Sequence, residues 1–126
     1  MKKFSEIEYV RPDMEVEKEK IGAYTEALKN VKSYEELRGL FMEEKEREDV
    51  WATMAEVAQV RYTVDTRDSF YEGEVQFWNE TVPAIRLLMQ KAEKVILESP
   101  FIKEFAGEFG DFFVTVSYTH LTLPTT

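Results

Sequence analysis

Seven consecutive residues, Glu43-Glu44-Lys45-Glu46-Arg47-Glu48-Asp49, hold five carboxylates, enough oxygen ligands in one place to suggest cation binding or acid/base work. An EF-hand calcium loop needs a glycine at its sharp turn and a set ligand spacing over twelve residues, and this run lacks both. Glu43–Arg47 and Lys45–Asp49 stand four apart, which reads as the solvated, ion-paired face of a helix. Trp51, Phe77 and Trp78 would make a stacking platform if gathered, but their helical spacing reads as core. Phe101, Phe105 and Phe109 are read in the same way. The chain has one histidine, His120, and no cysteine. It therefore offers no zinc pair of the H-E-x-x-H type, no Glu-x-x-His for a di-iron bundle, no histidine-based triad and no thiolate. There is no glycine-rich phosphate loop.

The elements that position these residues are helices. Residues 4–10 show no clean period and read as an extended lead-in strap. Pro12 suits a first helical position, with Asp13, Glu15 and Glu17 complementing the helix dipole. Met14, Ile21, Tyr24, Leu28 and Val31 then recur at helical spacing, placing a first helix over about 12–31. Ser33-Tyr34-Glu35-Glu36 is a capping box that opens a second helix running to about Val64 with Leu37, Leu40, Trp51, Met54, Val57 and Ala58 as its stripe. Asp65-Thr66-Arg67-Asp68 supplies a break and the next cap. The third helix carries Phe70, Tyr71, Phe77, Trp78, Val82, Ile85, Leu88, Met89, Ala92 and Ile96 on a face wider than a coiled-coil seam. Pro83 is expected to kink it. Ser99-Pro100 caps a short closing helix, ended by Gly110. The fold class is all-α, an antiparallel long-helix hairpin with a shorter leading helix. The breadth of the third helix's apolar face predicts a strip left uncovered, with poor solubility or dimerisation of the chain alone.

Within that hairpin Glu74 falls inside the apolar arc, and folding about Asp65-Thr66 brings Arg61 nearly opposite. Two readings stay open. Arg61 and Glu74 form a half-buried pair that sets register, with Asp65 competing for Arg61 from four residues away; or both side chains reach outward to water. The role in either case is structural.

With 25 acidic against 16 basic residues and a formal charge of −9, the chain lacks the basic stripe that nucleic acids require. No run approaches the roughly 20 apolar residues of a membrane span, and the N-terminus turns acidic where a secretory signal would turn apolar. A cytoplasmic location is expected. Val116 to Thr125 is β-branched, uncharged and threonine-rich, and resembles the translation of a transposase sequencing adapter (GTC TCT TAT ACA CAT CTG ACG CTG CCG ACG). Residues 1–114 are therefore expected to be a native helical region cut from a longer protein, and 115–126 not native, which removes His120 as a ligand or base.

The stretch from Lys3 to Asp13 (KFSEIEYVRPD), with Ser33–Glu36, Arg61–Tyr71 (RYTVDTRDSFY) and Leu97–Phe101 (LESPF), resembles the start of oligoendopeptidase F-type zinc metallopeptidases, relatives of thimet oligopeptidase. The resemblance covers about residues 3–113. It implies a helical cytoplasmic enzyme enclosing a deep channel that admits short peptides. It implies zinc held by the two histidines of an H-E-x-x-H helix and a downstream glutamate, with the motif's own glutamate activating water. None of those residues lies in this chain, so no catalytic or metal-binding residue is carried over; the implied partners are short peptides and the remainder of the same polypeptide. The other reading of the residues is a stand-alone helical interaction module that binds a partner helix in a groove.

Overall fold

The computed structural model describes residues 6–110. Within them the chain forms α1 (Met14–Lys29), α2 (Tyr34–Val64) and α3 (Ser69–Leu97), followed by a shorter helix α4 over 102–110. Each long helix starts where a short polar side chain can take the free N–H groups of the first turn. Asp13 accepts from Val16 N, Ser33 from Glu36 N, and Asp68 from both Phe70 N and Tyr71 N. Pro12 is not the first helical residue as its type suggests. Asp13, in extended conformation, is the cap, and its carboxylate sets the start two residues later, at Met14. Pro12 instead biases the preceding Arg11 toward extended backbone, which prolongs the strap. Pro83 lies inside α3 without ending it. Ser99 accepts from Phe101 N to open α4, as its type predicts; Gly110 is still helical at the edge of the described residues.

The connections are short, so neighbouring helices run antiparallel, and two core clusters record this. At one end Leu28, late in α1, meets Leu37 and Phe41, early in α2, together with Ala92 and Ile96 from the end of α3 and Phe105 of α4. At the other, Met14 and Ile21 of α1 join Ala58 of α2 and Trp78 and Ile85 of α3. A 31-residue helix is about 46 Å long and a 16-residue one about 24 Å. α1, which packs most extensively on α3, can thus cover only about half of the α2–α3 hairpin. The other half is covered by the strap. Residues 8–13 have no regular secondary structure and run beside the C-terminal half of α2, Val10 N–H facing Met54 Sδ at 3.3 Å.

This arrangement covers more of α3 than its breadth suggested. Trp78, Ile85, Ala92 and Ile96 are all buried, while Phe70 and Leu87 remain 57% and 63% exposed. Further exposed apolar side chains lie on α2 at Val50, Val60 and Val64. With Val16 of α1 and Val10 of the strap also exposed, the uncovered apolar side chains are spread over all three long helices and the strap.

α4 is held chiefly by its phenylalanines. Phe105 is 1% exposed and meets Phe41 edge-on at 4.9 Å between centroids, with Phe109 tilted against both. Phe105→Ala is expected to lower unfolding stability by about 3–5 kcal/mol, read by urea denaturation. A loss below about 1 kcal/mol would mean that α4 is not part of the cooperative core.

Candidate functional site

The described residues contain two centres built on a buried carboxylate, and neither is the pair read from the sequence. The first is built on Glu74, which lies on the inward face of α3 and is 7% exposed. Its countercharge comes from the strap. Arg11 donates through Nε to Oε1 at 2.9 Å and through Nη2 to Oε2 at 2.5 Å, the two-point fork that guanidinium and carboxylate geometry favours. Tyr9 Oη also donates to Oε1 at 2.5 Å and accepts from Trp78 Nε1 at 3.0 Å. The Arg11 guanidinium lies 4.0 Å from the centre of the Phe77 ring, close enough for a cation–π contribution.

Arg61 is occupied one turn nearer the hairpin corner. It donates to Tyr71 Oη at 2.7 Å and to the backbone carbonyl of Ile7. Asp65, expected to compete for Arg61, instead pairs with Arg67 at 3.3 Å and accepts its backbone N–H. The Arg61–Glu74 expectation is therefore corrected. Glu74 is buried as its place in the apolar arc requires, but the strap passes between the two helices' polar positions and takes both. Arg11 and Tyr9 were missed. The available signal was their two-residue spacing, which puts both side chains on one edge of an extended segment.

The second centre corrects the reading of the acidic run as wholly solvated. Glu44 is 2% exposed. Arg47 pairs with it, three residues away, rather than with Glu43. Glu44, Glu48 and Glu93 line one cleft with Lys45 and Tyr24, where α1, α2 and α3 meet. Trp51 and Trp78 stack with ring planes 13° apart at 6.3 Å inside the second core cluster, as their spacing predicted.

These surroundings shift the ionisable groups in opposite directions. The Arg11 fork, opposed by burial and helped by Tyr9, holds the Glu74 carboxyl below its ordinary range. Burial, and then the bond to Glu74, pushes the Tyr9 phenol up to about 12. In the cleft, burial first and then the Glu44 charge raise Glu48 to about 7. Glu44 is also raised, because burial outweighs its bond to Arg47.

Among the described residues no group of three or more His, Cys, Asp or Glu side chains could hold a metal ion, so the zinc implied by the resemblance does not fit here. His120 lies outside the described residues, as does the proposed boundary at 114/115. Nor is any described helix long and apolar enough to cross a membrane.

What the arrangement does define is a family. Residues 4–123 match the Peptidase M3 N-terminal domain, and the chain belongs to that family. Among solved structures it is similar to PZ peptidase A in complex with an inhibitor, at 28% identity with a TM-score of 0.86 over 91% of this chain. It is also similar to a protein assigned as an oligoendopeptidase F, at 27% identity with a TM-score of 0.86 over 93% of this chain. The match covers 21% of each of those chains, so this chain spans about a fifth of their length. No curated protein sequence is a significant match.

Two variants test the charge assignments. Glu74→Gln is expected to cost about 1–3 kcal/mol at pH 7. Because the folded carboxyl titrates below its ordinary value, this stability is present above about pH 4.5 and lost as pH falls through the folded pKa. The gap between wild type and variant in denaturant titrations should therefore close toward pH 3. Glu48 behaves oppositely. Its raised pKa means the native state holds the proton more tightly, so wild-type stability falls between about pH 4.5 and 7. Glu48→Gln should match wild type at pH 4 and exceed it at pH 8 by up to about 3 kcal/mol, and equal stabilities at pH 8 would refute the burial assigned to Glu48.

Proposed function

We propose that this chain is the N-terminal helical part of a zinc-dependent oligoendopeptidase, forming wall rather than catalytic centre around a channel that admits short peptides. The observation that carries the reading is the likeness to PZ peptidase A over 91% of this chain, together with the family match over residues 4–123. The shape supports it. Two helices of about 45 Å, backed by a third rail, make a long slab, suited to flanking a cavity and too thin to enclose one. In the parent enzyme zinc would polarise the scissile carbonyl and activate water, and a narrow channel would exclude folded proteins. The parent is proposed to act in the cytoplasm.

The test is made on the longer polypeptide that contains residues 3–113. It should carry an H-E-x-x-H helix, cleave a short fluorogenic peptide, lose that activity to a chelator and regain it with zinc, while the 126-residue chain leaves the peptide intact. Absence of the motif, or cleavage indifferent to chelation, would overturn the proposal.

A further inference from the structure

Residues 7–11 lie in the trough between the C-terminal half of α2 and the N-terminal half of α3 much as a bound peptide lies in a receptor. Recognition has three parts. The backbone is read by Arg61, which donates to the Ile7 carbonyl, and by Met54, whose sulfur faces Val10 N–H. An aromatic box receives Tyr9, with the Phe70 and Tyr71 rings edge-on at 6.1 and 5.7 Å and the Trp78 indole bonded to its hydroxyl. A buried carboxylate, Glu74, takes the forked guanidinium of Arg11. Between them Val10 faces outward, 57% exposed, as the alternation of an extended segment requires.

We propose that this trough is a recognition groove for an extended Tyr-x-Arg segment, and that residues 7–11 are its resident ligand, held in cis and replaceable in trans by the same sequence. The physical grounds are that these residues lie in no helix or strand, so they depend on the groove. Main-chain readout combined with side-chain pockets and a charge-assisted fork is a sufficient basis for peptide recognition. Covalent linkage through Pro12-Asp13 to α1 gives the resident segment a high effective concentration, which keeps the groove filled. The inference does not depend on the peptidase reading.

The test uses the full chain carrying Tyr9→Ala and Arg11→Ala, with a synthetic peptide of residues 5–13 as probe and tryptophan fluorescence as readout. Saturable binding is expected. An Arg11→Ala peptide should bind about tenfold or more weakly, as should the wild-type peptide offered to the wild-type chain, whose groove is occupied. If the variant keeps its helical circular dichroism yet fails to bind, or binds both peptides equally, the proposal is overturned. Should the variant unfold, hydrogen exchange on the wild-type chain decides. The Trp78 indole N–H, in a residue only 3% exposed, is expected to exchange about tenfold or more faster than the slowest helical amides, reporting strap release without global unfolding. Exchange only together with those amides would overturn it.

Discussion

Two helices of about 45 Å cannot shelter a broad apolar face between themselves, and the structure is organised by the need for a third rail along their whole length. α1 supplies that rail for about half of the distance. The remainder falls to an extended segment with no helical bonds of its own, which must be held from outside. The interaction that holds it is a buried carboxylate, Glu74, placed on the inward face of α3 where a leucine would otherwise suit. Arg11, Tyr9 and, through Tyr9, Trp78 converge on it, so the polar centre and the aromatic packing at that end are one unit.

A buried carboxylate is costly unless it is paired and hydrogen-bonded. The two polar centres answer this differently. Glu74 has a forked guanidinium and a phenol, and its ionised form is favoured. Glu44 has Arg47, but burial still dominates, and neighbouring Glu48 is left facing like charges in the same cleft. The first centre therefore strengthens the fold near neutral pH and the second weakens it. Both sit where helices meet.

That division of labour fits membership of the Peptidase M3 N-terminal domain family. The chain spans about a fifth of the length of its structural neighbours. The exposed Val50, Val60, Val64, Phe70 and Leu87 show that its apolar surface is not fully resolved within itself.

Helix existence, caps and core were legible from local rules. Ser33 and Asp68 cap where their types predict, and Met14, Ile21, Tyr24 and Leu28 are buried as the period requires. These outcomes depend on side-chain chemistry within one or two turns, which sequence spacing records directly. The partners of the charged groups were not legible. Glu74 could be placed in the apolar arc from its own helix, but whether Arg61 or Arg11 reached it depended on how a strap more than sixty residues away in sequence crossed the hairpin. The acidic run likewise reads as solvated from composition, and only the approach of α1 and α3 buries Glu44 and half-buries Glu48. Sequence periodicity reports which face a residue occupies. Which other segment arrives at that face, and with what charge, is a property of the tertiary arrangement alone.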